Sequence, residues 1–151
     1  MKASEEAYRL IRLSEGLRLT TYRCSAGVLT IGYGHTGPDV RPGMTITEQR
    51  ADELLSEDVA KAERAVNSRK WQLTQGQFDA LVDFVFNLGE YKVANSTLFG
   101  YLHKDMPGLA VEEFRRWVYG KDPKTGCKVK MPGLITRRER DRQLFETGVF
   151  A

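Results

Sequence analysis

The stretch SEGLRLTTYRCSAGVLTIGYGHTG, residues 14–37, decides the fold prediction. The apolar residues before it recur at helical spacing, so a helix is predicted over 3–14, with Gly16 suited to end it. Over 17–33 the residues change to Leu, Thr, Tyr, Val and Ile around a Cys-Ser-Ala-Gly turn, which predicts two short strands. Glu15 therefore lies at the C-terminal edge of a helix, beside a small β-hairpin.

The remainder of the chain carries mainly helical patterns. Thr47 offers an N-cap for a long amphipathic pattern that reaches about residue 69. Thr74 begins a capping-box pattern, followed by an apolar helical pattern that Gly89 ends. Shorter helices are predicted over 96–103, 108–117 and 134–145, and the stretch 120–132 is rich in turn residues.

These elements predict an α+β fold that is mostly α. A single domain, 1–151, would hold a small N-terminal β lobe over about 15–46 and a larger helical lobe over about 70–151, which the first helix also joins. A connecting helix over about 47–69 would link the lobes, with a cleft between them. At 151 residues and 41% hydrophobic content, the chain can bury the core of one such domain.

Composition and charge disfavour several classes of function. With 23 basic and 20 acidic residues the net charge of +3 is a mild bias towards an anionic partner, such as a cell envelope or a nucleic acid. No basic stripe with interleaved aromatic residues is present, so a nucleic-acid partner is not expected. The basic residues at 137–142 alternate with acidic ones, which is typical of a solvated helix face. Two histidines without ligand spacing predict no metal, and no cofactor motif occurs.

The N-terminus and the cysteines indicate the cellular compartment in which the protein is expected. No apolar run approaches the roughly 18–20 residues of a membrane span, and acidic residues stand where a signal peptide would be apolar. We therefore expect no stable membrane insertion and a cytoplasmic protein. Cys24 and Cys127 match no CxxC motif, so reduced thiols are expected, while a pairing between them stays open.

Glu15, Cys24 and Thr30 form the constellation that carries chemistry. Cys24 and Thr30 follow Glu15 by nine and fifteen residues. A helix end followed by a hairpin can bring groups at this spacing onto one substrate. An acidic residue before glycine is common, however, so the spacing alone does not establish a catalytic acid.

This block resembles the signature of the phage lysozymes, or endolysins, of glycoside hydrolase family 24. Their pattern is Glu, eight residues, Asp or Cys, five residues and Thr, closed by a TIGYGHT-like stretch, and Cys24 stands where many relatives have Asp. The similarity extends over QFDALVDFVFNLG at 77–89, STLFGYL at 96–102 and PGLITRRERDRQLFETG at 132–148. It covers essentially the whole chain.

The resemblance implies a lysozyme-like fold and a muramidase. The enzyme would hydrolyse the β-1,4 bond between N-acetylmuramic acid and N-acetylglucosamine in peptidoglycan and so lyse the host cell, with Glu15 as general acid. Such an acid has to hold its proton near neutral pH, which favours apolar walls around it. The resemblance also implies a monomer that waits in the host cytoplasm until a holin permeabilises the membrane, and then reaches the periplasm and wall.

Three interpretations of Cys24 remain open. It positions a water together with the hydroxyl of Thr30, it attacks as a thiolate, or it is a tolerated small residue at the cleft edge. Attack by water on the face opposite Glu15 would invert the anomeric centre, and inversion is the expected outcome.

The resemblance implies further site residues. Gly34 and Thr36 would bind substrate, and Asn87 would offer its amide to an N-acetyl group. One of the two arginines Arg137 and Arg138 would pair with Glu15 in the free enzyme or meet the acidic peptide stems of peptidoglycan, and Arg137 is the candidate for binding substrate. His35 would have a structural role, paired with the acidic residue Asp58 of the long helix.

Two alternatives to hydrolysis are kept. A lytic transglycosylase would cut the same bond with a single acid and without water, and the missing Asp favours keeping it. A non-catalytic wall-binding module would retain sugar binding without turnover.

Overall fold

The computed structural model describes residues 1–24, 27–121 and 128–151. Within these residues the protein is mostly helical, with two small antiparallel sheets of two strands each. The helices are α1 Glu5–Glu15, α2 Glu48–Asn67, α3 Gln75–Leu88, α4 Glu90–Val93, α5 Thr97–His103, α6 Pro107–Glu113 and α7 Pro132–Thr147, with a 3₁₀ turn at Phe114–Arg116. The strands are β1 Arg18–Arg23, β2 Leu29–Gly32, β3 Tyr119–Lys121 and β4 Lys128–Lys130. Among the helices of the described residues, none combines the length and apolar composition needed to cross a bilayer.

Helix α1 ends at the residue that the sequence singled out. Ser4 caps its N-terminus, because its side chain accepts a hydrogen bond from the N–H of Glu6 at 3.3 Å. Gly16 follows the helix with a φ of +70°, which favours glycine, and donates its N–H to the carbonyl of Arg12. Glu15 is therefore the last residue of the helix, and the predicted helix end is confirmed.

The hairpin of β1 and β2 forms the small lobe. Tyr22 stands opposite Thr30 and Arg18 opposite Gly32, and the register shifts between these two pairs. Residues directly opposite each other in an antiparallel pair project from the same face, so Tyr22 and Thr30 share one face of the hairpin. The small core of this lobe consists of Ile31, Val40 and Leu54, with Leu29, Met44 and Ile46 packed against it.

Helix α2 connects the two lobes. Leu54 belongs to the small core beside the hairpin, whereas Leu55 and Val59 belong to the large core of the helical lobe. At 20 residues the helix is about 30 Å long. The fold is thus lysozyme-like, with a small sheet lobe, a long connecting helix and a larger helical lobe.

Helix α3 is central to the helical lobe and contacts α1, α2 and α7. Its predicted capping box is present: the side chain of Thr74 accepts from the N–H of Gln77, and the side chain of Gln77 accepts from the N–H of Thr74. A Cβ at Gly76 would lie 2.7 Å from the Cα of Gly148, so only glycine allows α3 and α7 to approach this closely. This approach brings the polar residues of the two helices together.

Four features of the structure differ from the sequence predictions. The stretch predicted as turn-rich, 120–132, contains part of a β-hairpin formed by β3 and β4. Strands of three residues depend on pairing more than on propensity, so the surrounding Gly and Pro obscured them. The helix predicted over 108–117 ends at Glu113 and continues as a 3₁₀ turn, and α4 was not predicted. The last helix begins at Pro132, before the predicted start, because the fixed φ of proline suits a first turn.

Candidate active site

Glu15 lies between α7 and the loop after β2. Its Oε2 accepts a hydrogen bond from Nη1 of Arg137 at 2.6 Å. A Cβ built on Gly34 would lie 2.8 Å from the carboxyl carbon of Glu15 and closer still to Oε1. The two carboxyl oxygens therefore face different elements, Oε2 towards α7 and Oε1 towards Gly34. The side chain of Glu15 is 20% exposed, so the carboxyl is reachable but mostly covered.

Arg137 is held from its other side by Asp83 of α3. Nε of Arg137 donates to Oδ2 of Asp83 at 3.1 Å, and Nη2 donates to Oδ1 at 2.7 Å. The two side chains are 5% and 0% exposed, so this is a buried ion pair with two parallel hydrogen bonds. One guanidinium therefore joins the carboxyl on α1 to the carboxylate on α3.

Arg138, the next residue of α7, is also buried. Its Nη2 donates to Oδ1 of Asn87 near the end of α3, and its Nε lies 3.4 Å from Oδ2 of Asp141. The amide oxygen of Asn87 is therefore engaged by the protein, which fixes the orientation of the amide predicted to meet an N-acetyl group.

The interpretation of 137–142 as a solvated helix face is wrong for Arg137 and Arg138, which are 4% and 1% exposed. A buried cation needs an anionic partner, and sequence reasoning missed this partner. The available signal was Asp83, which interrupts the most apolar helical pattern of the chain, LVDFVF at 81–86. A carboxylate inside a run of core residues predicts a cation on the helix that packs against it.

Asp83 and Asp141 form a buried carboxyl pair whose pKa values shift in opposite directions. Burial opposes the ionisation of Asp83, but the charge and hydrogen bonds of Arg137 outweigh it and lower the pKa of Asp83. Burial raises the pKa of Asp141 well above its usual range, and the negative charge of Asp83 adds to this shift. The shift of the Asp141 pKa favours its protonated form, whereas the shift of the Asp83 pKa favours its ionised form.

Cys24 and Thr30 meet at one backbone carbonyl of the hairpin. The backbone N–H of Cys24 donates to the carbonyl of Val28 at 3.0 Å, and the hydroxyl of Thr30 donates to the same oxygen at 2.9 Å. Because this bond uses the hydroxyl proton, the lone pairs of Thr30 can accept a hydrogen bond from water. Cys127 lies outside the described residues, so its pairing with Cys24 stays a prediction.

Tyr22 links the helix end to the hairpin, and the sequence analysis did not single it out. It stands opposite Thr30, and the guanidinium carbon of Arg18 lies 4.5 Å from the centre of its ring. Burial raises the pKa of Tyr22, the negative charge of Glu15 adds to this shift, Arg18 opposes it, and Cys24 adds a smaller increase. Glu15 and Cys24 are thus both within electrostatic reach of one phenol hydroxyl.

The cleft between the lobes contains a cavity of about 280 Å³. Gly34 and Thr36, both predicted to bind substrate, line it, and so do two charged residues that the sequence analysis did not single out, Lys61 and Glu90. The remaining lining residues are Asp58, Ala62, Ala65, Val85, Phe86 and Gly89. Apolar surface combined with hydrogen-bonding groups suits a sugar, which presents both kinds of surface.

His35 ties the loop after β2 to α2. Its Nδ1 lies 2.6 Å from Oδ2 of Asp58, and its Nε2 lies 2.9 Å from Oδ2 of Asp39. Burial disfavours the charged ring, but the hydrogen bonds to Asp58 and Asp39 outweigh it and raise the pKa of His35. Because carboxylates engage both ring nitrogens, the geometry favours a structural role over general base catalysis.

A carboxyl at a helix end, packed against a glycine that lines a cleft between a small sheet lobe and a helical lobe, is the arrangement of a lysozyme-like glycoside hydrolase. Comparison with known proteins agrees, since the family model described as Phage lysozyme matches residues 12–141. The chain belongs to the phage lysozyme family. Lysozymes hydrolyse the glycan strands of bacterial peptidoglycan, so the protein is a hydrolase of the muramidase type.

Individual relatives support the same class. The endolysin of Acyrthosiphon pisum secondary endosymbiont phage 1 is 40% identical over 148 residues, which cover 97% of this chain and 99% of the relative. A SAR-endolysin of bacteriophage PS34 is 37% identical over 132 residues, which cover 86% of this chain and 75% of the relative. A solved endolysin from Escherichia coli O157:H7 phage FAHEc1 has a TM-score of 0.88 and 34% identity, and the match covers 100% of this chain and 97% of that one. Endolysins lyse the host cell, which is the activity class of this protein.

Proposed function

We propose that Glu15 is the general acid with which this enzyme cuts the β-1,4 bond between N-acetylmuramic acid and N-acetylglucosamine. The observation that carries the proposal is that the two carboxyl oxygens of Glu15 have different surroundings. Arg137 donates a hydrogen bond to Oε2, while Oε1 faces Gly34 in the cleft wall. Cleavage needs a proton at the leaving oxygen. Oε1 delivers it, because Oε2 can accept from Arg137 in either protonation state of the carboxyl.

Thr30 and Cys24 direct the water that attacks the anomeric carbon. The hydroxyl of Thr30 donates to Val28, so it acts on this water as an acceptor. A thiol of ordinary acidity is only about a few per cent ionised near pH 7, which favours a neutral Cys24 beside the water over a thiolate nucleophile. Attack from the face opposite Glu15 inverts the anomeric centre, and the proton that the attacking water loses passes to the surrounding water.

Gly34 and Thr36 line the sugar site, and the amide of Asn87, oriented by Arg138, hydrogen-bonds an N-acetyl group. Arg137 acts through Glu15 and not through the substrate, because its guanidinium is buried and held by Glu15 and Asp83. This replaces the expectation that Arg137 meets the peptide stems.

The enzyme acts as a monomer on peptidoglycan from the periplasmic side. A holin-type partner permeabilises the membrane and releases it from the host cytoplasm. The net charge of +3 supports the cell wall as the partner, because the bacterial envelope is anionic.

The test is the clearing of outer-membrane-stripped Gram-negative cells by wild type, Glu15→Gln and Glu5→Gln. Glu15→Gln keeps the shape of the acid but has no proton to transfer, so activity should fall about 10²–10⁴-fold. Glu5→Gln is the matched control, because Glu5 is an exposed glutamate at the other end of the same helix and should retain activity.

Product analysis separates the alternatives. A hydrolase releases new reducing ends, whereas a lytic transglycosylase releases anhydro ends that carry none. Folded wild type that binds wall fragments without releasing any saccharide would replace the proposal with a binding module.

A further inference from the structure

The pairing of Glu15 with Arg137 raises a problem for an acid catalyst. A guanidinium within hydrogen-bond distance of a carboxyl favours the ionised carboxylate. Arg137 donates to Glu15 at 2.6 Å from a side chain that is only 5% exposed, so water screens this charge poorly. Another group has to offset the charge of Arg137 if Glu15 is to keep its proton.

Asp83 is in position to offset it. It is completely buried, and both of its oxygens accept hydrogen bonds from Arg137. The pairing uses Nε and Nη2, which leaves Nη1 aimed at Glu15. Such a planar two-point contact fixes orientation as well as charge.

We propose that Asp83 is a positioning residue for the catalytic acid: it neutralises Arg137 and orients its Nη1, so that Glu15 is held in place without being forced to ionise. The proposal rests on the proposed function of Glu15 as general acid. It assigns to Asp83 a role in catalysis, although none of the atoms of Asp83 needs to touch the substrate.

The other charged groups around Glu15 do not perform this task. From α7, Arg138 adds a second positive charge within reach of Glu15, and burial raises the pKa of Asp141, which favours its neutral form. From β1, Tyr22 is a neutral phenol whose pKa burial raises further. Asp83 is therefore the ionised carboxylate that balances Arg137 within the described part of the chain.

The experiment measures the pH profile of kcat/KM for lysis by wild type and Asp83→Asn. Activity of a general acid is lost on the alkaline limb, where the acid loses its proton. Without Asp83 the charge of Arg137 acts fully on Glu15, so this limb should move to lower pH by about one unit. At a fixed pH on the limb, kcat/KM should fall about tenfold more than it does at the optimum.

Asp79→Asn is the matched control, because Asp79 is a buried aspartate one turn earlier on α3. It accepts hydrogen bonds from Ser4 at the start of α1 and from Gln75, so these partners of Asp79 are neutral rather than cationic. Its replacement should lower the stability and leave the position of the alkaline limb unchanged.

Arg137→Gln tests the same idea with the opposite sign. Asp83 would then act on Glu15 without its cation, so the limb should move to higher pH, and the double variant should return towards wild type. If Asp83→Asn does not fold, the Arg137→Gln variant still tests the proposal.

Two results are distinguishable. If Asp83→Asn lowers kcat/KM equally at every pH and Arg137→Gln leaves the limb in place, Asp83 is only structural and the inference is overturned. If Glu15→Gln remains fully active, the proposed function itself fails, whatever Asp83 does.

Discussion

The two sides of the proposed active site are held by different kinds of contact. On the acid side, Arg137 and Asp83 form a buried ion pair, and Arg137 also donates a hydrogen bond to the partly exposed Glu15. On the water side, Cys24 and Thr30 are neutral groups placed by the backbone of a two-stranded hairpin. A buried ion network fixes atoms firmly and responds to pH, whereas neutral groups on a hairpin do neither to the same degree. Substitutions on the acid side should therefore have the larger effects.

Gly34→Ala should give the largest effect of the substitutions that keep every chemical group. The new Cβ would collide with the carboxyl of Glu15 and push it away from the leaving oxygen. A misplacement of about 1 Å can cost about 10²-fold in rate, so kcat should fall by about that factor. Lysis kinetics, with circular dichroism to verify folding, provide the measurement.

Gly32→Ala separates displacement from backbone strain. Gly32 has a φ of +66°, close to the +74° of Gly34, but its added Cβ would meet only ordinary contacts, 3.5 Å from the Cβ of Ala51. Both variants should lose stability through the unfavourable φ, and only Gly34→Ala should lose most of its kcat. Equal losses of kcat would show that the contact with Glu15 does not matter.

Substitutions of Cys24 should have smaller effects. If the thiol only orients water, Cys24→Ser preserves a hydrogen-bonding group and should keep kcat within about tenfold, the size of one neutral hydrogen bond. Cys24→Asp should also remain active, because a carboxylate can act as a base for the same water. NMR of the first-formed anomer should show inversion for wild type and both variants.

A thiolate nucleophile would give a different pattern. Cys24→Ser would then lose activity by several orders of magnitude, and wild type would retain the anomeric configuration through a thioglycoside intermediate. Either observation would remove the contrast between the two sides, because the hairpin would then carry covalent chemistry.

Local sequence predicted the elements whose signals are local. Gly16, Thr74 and Gly89 act through neighbours within a turn of helix, and the C-terminal end of α1 and both ends of α3 were predicted from them. The short β3–β4 hairpin was missed because its stability comes from pairing between strands. The resemblance supplied Glu15, Cys24 and Thr30, which residue types and spacing alone could not have selected.

The charge network was predicted only in part, because it depends on packing. The resemblance indicated that either Arg137 or Arg138 pairs with Glu15, but it did not indicate the carboxylate that pairs with Arg137. Asp83 meets Arg137 only because α3 and α7 approach closely, and Gly76 permits this approach from a different turn of the helix. Alternating charges at 137–142 resemble a surface pattern until the partner helix is known.

Asp141→Asn should give the smallest effect on activity and a change in stability with a definite sign. The raised pKa of Asp141 means that the folded state keeps a proton that the unfolded chain releases above about pH 4. The folded state then binds more protons than the unfolded state, so wild-type stability decreases as the pH rises through this range. The amide of asparagine can donate to Asp83 without titrating. Urea unfolding at pH 4, 6 and 8 should therefore show the variant gaining on wild type as the pH rises.

The exposed Asp52 of α2 provides the control, since Asp52→Asn also removes one carboxyl but leaves the buried network intact. A difference between Asp141→Asn and wild type that is the same at all three pH values would mean that Asp141 carries no bound proton. The buried cluster would then hold a second negative charge beside Asp83, so two carboxylates would offset the positive charge of Arg137. In that case the acid side would not depend on Asp83 alone, and replacing Asp83 should move the alkaline limb of kcat/KM far less than one unit. The stability series on Asp141 thus sharpens the comparison by fixing how many charges the acid side contains.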